Sequence, residues 1–496
     1  MTGLPAGGVE LQRIRAALEQ AGLLIETRGD LPERFTEITD DSRAVVPGAL
    51  FLALHGSTRD GHEFLSDAES RGAVAALVEE AGRTALPQLV VSDGRRAVPI
   101  AAAAAFDEPG ERLRMVAVTG TNGKTTTVGL LRHLLDGHEG RAASVGTLGV
   151  LLGSAGNLLD EDSGAGLTTP GPVELQRMLR VLVDRGIRWV AMETSSHSLD
   201  QRRVDGLRFE AAIFTNLTRD HLDYHGTMEE YFAAKARLVS LLAPQGAAII
   251  NGGDPVWRDL PPAPRVITFG LDPDDDVHAE ALHYQPRGSE WRLCAGSQRQ
   301  TLTLPLIGDF NVVNALGAAA AAWHLGMSTA TIAARLRTAP QVPGRLEIIN
   351  ERPTVLRDYA HTPDALERAI AAVRPFTRRR LIVVFGCGGD RDRGKRPQMG
   401  NIAERGADHV ILTSDNPRTE DPEEIIDDIE RGMRRENHER IEERDFAILQ
   451  ALDMADPNND VVLLAGKGHE NYQIRGTTKF PFDEKAIVAE LMERRQ

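Results

Sequence analysis

Gly120-Thr121-Asn122-Gly123-Lys124-Thr125-Thr126 and, far downstream, Asp415-Asn416-Pro417-Arg418 are the stretches of this chain whose residue types could do chemistry together. In the first, glycines let backbone N–H groups approach phosphate oxygens, Lys124 can reach terminal phosphates and Thr125 can ligate Mg²⁺. Use of a nucleotide is therefore expected. Val118 stands where the usual phosphate loop has its first glycine, which points away from GTPases and motor ATPases. In the second stretch, Asp415 suits an ammonium and the planar fork of Arg418 suits a carboxylate. The pair describes a pocket for a zwitterion such as an amino acid. An Asx-type turn followed by an exposed arginine is the plainer reading of that tetrapeptide alone.

Further candidates lie between the two. Glu193, in Met192-Glu193-Thr194-Ser195-Ser196-His197, ends an apolar run and could face a phosphate-bound metal; a solvated strand-end acid is its alternative. His221, in Asp220-His221-Leu222-Asp223-Tyr224-His225-Gly226, is a second ligand candidate, although a lone histidine is more often structural. Lys235, on an expected helix from Met228 to Leu242, reads by itself as a solvated lysine. The basic run 391–396 stands out as an anion site in a chain of formal net charge −15. That charge argues against nonspecific nucleic-acid binding.

These residues need rigid elements to hold them. Met115-Val116-Ala117-Val118 reads as a buried parallel strand leading into the phosphate loop, with a helix following to about Asp136. Strands are expected at 189–192, 212–215 and 247–250, and in the last third at 381–385, 409–412 and 461–464. An alanine-rich helix is expected over 314–325, and the Glu/Arg-rich run 423–444 reads as a pair of solvated helices. The fold class is α/β: a central doubly wound sheet of phosphate-loop type and a C-terminal Rossmann-like domain. At 496 residues the chain exceeds one core, and breakers near 107–110 and 340–344 divide it into 1–111, 112–339 and 340–496. Cys294 and Cys387 are too few for a disulfide framework or zinc cluster. No N-terminal signal pattern occurs and no apolar run reaches the ~20 residues of a membrane span. A cytoplasmic protein is expected.

The order of the motifs resembles the Mur ligase family of ATP-dependent amide-forming enzymes. They are G-T-N-G-K-T-T at 120–126, E-T-S-S-H at 193–197, D-H-L-D-Y-H-G at 220–226 and G-D-F-N-V-V-N-A at 308–315. P-G-R-L-E at 343–347, D-Y-A-H-T-P at 358–363, G-C-G-G-D-R-D-R-G-K-R at 386–396, D-N-P-R at 415–418 and A-G-K-G-H-E at 465–470 continue the series. The resemblance implies a three-domain architecture and a role in peptidoglycan precursor synthesis. It implies that Ser42, Ser57, Thr58 and Arg59 hold the UDP end of UDP-N-acetylmuramoyl-L-alanyl-D-glutamate, and Thr168, Thr169, Ser195, Gln201 and Arg203 its muramoyl-dipeptide. ATP would meet residues 120–126 together with Asn311, Asn314, Arg345, Asp358 and His361. Arg391, Asp415, Asn416, Pro417, Arg418, Gly466 and Glu470 would bind meso-2,6-diaminopimelate, whose far carboxylate Arg418 suits. Relatives that use L-lysine lack that arginine. Lys124, Glu193, His221 and Lys235 would form the catalytic set. Thr125 and Glu193 would hold one Mg²⁺, and His221 with a Lys235 carbamylated by CO₂ the other. A monomer is expected, with no nucleic-acid or membrane partner. The same ligase acting on L-lysine and a silent nucleotide-binding module remain the alternatives.

Overall fold

Met115, Val116, Ala117 and Val118 are fully buried in strand Arg114–Thr119, as an apolar run flanked by parallel neighbours on both sides must be. The structure, a computed structural model, describes residues 4–5, 7–56, 59–159 and 167–495. Ser57 and Thr58 lie outside the described residues. The chain divides into two compact units. One comprises Met1–His278, Cys294–Gln298 and Leu316–Ile332; the other comprises Ala279–Leu293, Arg299–Ala315 and Ala333–Gln496.

Two of the sheets with strands in the first unit position the site. Parallel strands Glu37–Thr39, Ala49–Leu52, Ala75–Val78 and Gln88–Val91, with antiparallel Leu24–Arg28 at one edge, form the smaller one. Its core is closed by helices Leu11–Gln20 and Gly94–Ala105. In the larger sheet the parallel strands run in the order Arg141–Gly146, Ile187–Glu193, Arg114–Thr119, Phe209–Phe214, Leu242–Asn251, Val266–Gly270. The chain leaves Arg114–Thr119 toward one side of the sheet and later returns to the other. The loop after that strand therefore opens at a topological switch point, where such sheets bind ligands. Helix Lys124–Leu135 begins directly from it, so its N-terminus faces the strand ends.

In the second unit, strands Thr354–Asp358, Val461–Ala465, Leu381–Phe385, His409–Leu412 and His438–Arg440 pair in parallel in that order, with Glu347–Glu351 antiparallel at one edge. Helices Pro363–Val373, Lys395–Gly406 and Pro422–Glu430 contribute to one core cluster, and Arg444–Met454 and Glu484–Glu493 to another. The loops leaving Asp358, Phe385, Leu412 and Ala465 all emerge from C-terminal strand ends.

Two expectations need correction. The run 423–444 is one helix and a strand rather than two solvated helices, because Ile425, Ile426 and Ile429 make one apolar face, fully or nearly fully buried. The charges on the opposite face masked that stripe. The expected helix 228–242 is α-helical only over Met228–Ala236; a 3₁₀ turn, Arg237–Leu241, then feeds strand Leu242–Asn251. No helix among the described residues is long and apolar enough to cross a membrane.

Candidate active site

The phosphate loop is clamped from the neighbouring strand end. Asn216 accepts from Asn122 N through Oδ1 at 2.9 Å and donates from Nδ2 to Asn122 O at 3.1 Å, and Thr215 Oγ1 donates to the same carbonyl at 2.7 Å. Gly120 has φ +144°, and a Cβ there would stand 1.9 Å from Thr215 Oγ1, so only glycine permits this approach. Lys124 Nζ donates to Gly120 O and Thr121 O, each at 2.8 Å. Gly123 is left-handed, and Thr125 and Thr126 are buried in the first turn of the helix.

Glu193 overturns its reading as a solvated acid: it is 1% exposed. Its oxygens accept from Thr125 Oγ1 at 3.1 Å, from Thr147 Oγ1 at 3.1 Å and from Thr147 N at 2.8 Å. Among the described residues its side-chain partners are these hydroxyls and this amide, with no basic side chain. A buried carboxylate surrounded by hydroxyls and lacking a countercharge is an oxygen-donor set suited to a hard divalent cation. Thr125 and Glu193 thus fit Mg²⁺.

Lys235 is likewise buried, at 1% exposure, rather than solvated. Its Nζ donates to Gly120 O at 2.9 Å and lies 4.4 Å from the ring centre of Tyr231, one turn earlier on the same helix. Burial, then the Lys124 ammonium, hold its pKa well below the ordinary lysine value, against a smaller opposing pull from Asp220. Tyr231 also shares a hydrogen bond of 3.2 Å with Thr121 Oγ1, which ties this helix to the phosphate loop. His221 is half exposed, in left-handed backbone at φ 54°, with its ring 6.2 Å from that of Tyr231. Burial lowers its pKa, against an opposing pull from Asp220, with smaller contributions in the same sense from Lys124 and Lys235. His197, packed at 4.8 Å from His221 and 4.2 Å from Tyr224, is held down to about 4, chiefly by burial. It is neutral near pH 7. Thr147, Tyr231, His197 and Tyr224 were missed as site residues. His197 and Tyr224 stood inside motifs already noted, whereas Thr147 carried no such signal.

The residues expected at the muramoyl-dipeptide gather beside this set. Thr169 Oγ1 donates to Glu193 O at 3.0 Å and accepts from Ser195 N at 3.1 Å; Thr168 Oγ1 is 3.4 Å from Thr147 Oγ1. Arg203 donates from Nη1 to Thr169 O at 2.9 Å and from Nε to Gln201 Oε1 at 2.9 Å. Ser42 opens a 3₁₀ turn capped by Asp41, and the exposed Arg59 offers its carbonyl to Gly56 N at 3.0 Å.

In the second unit, Asn311 and Asn314 are buried and bonded to each other at 3.1 Å, with Asn311 Nδ2 also donating to Ile307 O. Asp358 Oδ2 accepts from Leu346 N at 2.7 Å; burial pushes its pKa up to about 6. The Arg345 guanidinium lies 4.6 Å from the Tyr359 ring centre, and His361 Nδ1 is 2.8 Å from Tyr359 O. Around the D-N-P-R stretch, Asn416 Nδ2 donates to Glu470 Oε2 at 2.8 Å and Asn416 Oδ1 accepts from Ile474 N at 2.9 Å. The fully buried Lys467, also missed, places Nζ 3.3 Å from both Asn416 Oδ1 and Glu470 Oε2. Gly466, at φ +113°, would put a Cβ 2.6 Å from Asp415 Oδ2, so glycine is required beside that carboxylate. Pro417 is buried, and Arg418 donates from Nη1 to Gly389 O at 2.9 Å. Its other guanidinium N–H groups make no hydrogen bond to a described residue.

The basic run 391–396 is not a single anion site. Arg396 is fully buried and forks onto Glu420 at 2.9 and 3.0 Å and onto Asp428 at 2.9 Å. Lys395 donates to His361 O at 2.8 Å, and Arg391 is exposed, donating to Asp390 O at 2.9 Å.

Comparison with known proteins agrees with this geometry. Residues 34–113 match the Mur ligase family catalytic domain, 118–322 the Mur ligase middle domain and 344–468 the Mur ligase glutamate ligase domain. The UDP-N-acetylmuramoyl-L-alanyl-D-glutamate–2,6-diaminopimelate ligase of Geobacillus kaustophilus is 43% identical over 468 residues, 92% of this chain and 94% of the relative. Its namesake in Thermosynechococcus vestitus is 45% identical over 460 residues, 90% of this chain and 91% of the relative. A solved structure carrying the same name superposes with a TM-score of 0.68 at 33% identity, covering 98% of this chain and 99% of that one. The Thermotoga maritima MurF ligase in complex with ADP shares the fold at TM-score 0.63 and 19% identity, covering 92% of this chain and 98% of its own. With three Mur ligase family models matching successive stretches of the chain, and relatives 43% and 45% identical along nine-tenths of it, the chain belongs to the Mur ligase family.

Proposed function

We propose that this ligase joins meso-2,6-diaminopimelate to UDP-N-acetylmuramoyl-L-alanyl-D-glutamate at the expense of ATP, releasing ADP and phosphate. The observation that carries the choice of amino acid is Arg418, whose guanidinium keeps donors to spare beyond its bond to Gly389 O, in the same stretch as Asp415 and Asn416. A second zwitterionic end, as in diaminopimelate, meets those donors; L-lysine would leave them unpaired, which is costly in a partly buried site. Curated relatives with diaminopimelate in their names support the reading. The division of labour proposed is 1–111 for the UDP end, 112–339 for phosphoryl transfer and 340–496 for the amino acid.

In this reading ATP transfers its γ-phosphoryl group to the side-chain carboxylate of the D-glutamate residue. The amine of diaminopimelate attacks the resulting acyl phosphate, the amide C–N bond forms and phosphate leaves with the C–O bond. Lys124 leaves its two loop carbonyls to meet phosphate oxygens, and the backbone of 120–126 orients them. Thr125 and Glu193 would hold one Mg²⁺, and His221 with modified Lys235 a second; bound there, the ions neutralise charge on the transferred group. Lys235 suits that modification because it is buried, its pKa is lowered by that burial, and it has no carboxylate partner in hydrogen-bond reach. Its neutral amine adds to CO₂, forms an N–C bond and gives up a proton, which converts a cation-type side chain into an oxygen ligand. Gln201, Arg203 and Ser195 orient the acceptor.

The test is phosphate release from ATP with UDP-N-acetylmuramoyl-L-alanyl-D-glutamate, comparing meso-diaminopimelate with L-lysine. Release that depends on diaminopimelate supports the assignment. Preference for lysine would overturn the role given to Arg418, and no release with either would overturn the ligase reading.

A further inference from the structure

We propose that Tyr224 and Asp200 are positioning residues for the acceptor substrate, acting through Gln201 and Arg203. The inference rests on the assignment of Gln201 and Arg203 to the muramoyl-dipeptide made above.

Four side chains form one directed chain of hydrogen bonds. Arg203 donates from Nε and Nη2 to Gln201 Oε1 at 2.9 and 2.5 Å. Gln201 Nε2 donates to the Tyr224 hydroxyl at 3.1 Å, and that hydroxyl donates to Asp200 Oδ2 at 2.7 Å. Every donor points from the guanidinium toward the carboxylate. A chain with a cation at its donating end and an anion at its accepting end polarises each bond in the same sense. Burial and the Asp200 carboxylate both favour the protonated phenol, so the donor the chain needs is present at neutral pH.

The consequence falls on Gln201. Its amide could present either oxygen or nitrogen to a ligand, and the two orientations are nearly equal in shape. Arg203 on one side and Tyr224 on the other leave only one. Arg203 is fixed in turn by Thr169 O at 2.9 Å, and Thr169 Oγ1 supports Glu193 O and Ser195 N. Tyr224 therefore orients a substrate-binding amide without itself needing to touch substrate. Asp200 is exposed, so its charge is screened and its individual effect is the smaller one.

The experiment is steady-state kinetics of the full chain with ATP, meso-diaminopimelate and varied UDP-N-acetylmuramoyl-L-alanyl-D-glutamate, for wild type, Tyr224→Phe, Asp200→Asn, Gln201→Ala and the Tyr224→Phe/Gln201→Ala double variant. Loss of the hydroxyl that accepts from Gln201 and donates to Asp200 should, in Tyr224→Phe, raise KM for the UDP substrate about fivefold, leaving kcat and the KM values for the other two substrates unchanged. Asp200→Asn should raise it less, because the amide still accepts. In the Gln201→Ala background, Tyr224→Phe should add nothing. An unchanged KM in Tyr224→Phe, or a penalty undiminished in the Gln201→Ala background, would overturn the proposal. A wild-type enzyme that turns over none of these substrates sinks the functional reading instead, while normal wild-type turnover with an indifferent Tyr224→Phe sinks the positioning role alone.

Discussion

Single residues at the site are explained by what burial denies them. Glu193 has hydroxyl and amide partners but no cation, Lys235 has a carbonyl but no carboxylate, and Arg418 has one carbonyl and several spare donors. Each is an incomplete interaction that a substrate or metal would complete. Arg418→Ala should therefore raise KM for meso-diaminopimelate by on the order of thirtyfold, the equivalent of about 2 kcal/mol for a charge-assisted contact, with KM for ATP unmoved. Kinetics with each substrate varied in turn checks this, and an unmoved KM for the amino acid would remove Arg418 from the pocket. For Gly466→Ala, the new Cβ falls 2.6 Å from Asp415 Oδ2 in a backbone region that side chains avoid. That variant should lose binding of meso-diaminopimelate, measured by calorimetry, while retaining binding of the UDP substrate; full amino-acid affinity would show that Asp415 can retreat at no cost.

At the scale of elements, legibility followed physical cause. The strands carrying the loops were readable because parallel strands buried on both faces are short unbroken apolar runs, as in 115–118 and 381–385. The glycines and lysine of 120–126 were readable because phosphate binding needs those types in that order. What stayed hidden was made by residues distant in sequence: Tyr231 meets Thr121 across 110 positions, and nothing local marks the pair. The Arg396 cluster was hidden for the same reason, since its partners arrive from the next loop and helix. Glu420 accepts both arms of Arg396 and a contact from Arg393, with Arg396 first among the causes that lower its pKa to about 2 from the ordinary 4.5. A carboxyl depressed on folding stabilises above its unfolded value and loses that contribution as pH falls toward its folded one. Glu420→Gln should thus lower the unfolding midpoint at pH 7, and the gap from wild type should shrink below about pH 4.5 and close near pH 2. Thermal scans across that range test it; a gap independent of pH would mean that shape rather than charge holds the loop.

Taken as a whole molecule, the proposed assignments distribute the chain's tasks over separate cores. The residues assigned to the UDP substrate (Ser42, Arg59, Thr168, Thr169, Ser195, Gln201 and Arg203) all belong to the first compact unit, and those assigned to diaminopimelate all belong to the second. Each unit has its own clusters of buried side chains. Chains built this way depart from a single cooperative unfolding step. A ligand stabilises only the core whose folded form binds it, by about 2.7 kcal/mol at a hundredfold excess over Kd. Scanning calorimetry should then resolve more than one transition, with the UDP substrate raising one and meso-diaminopimelate raising another. If both ligands raise a single shared transition by equal amounts, the two units unfold as one, and the assignment of each substrate to its own core would have to be tested by binding to single-site variants instead.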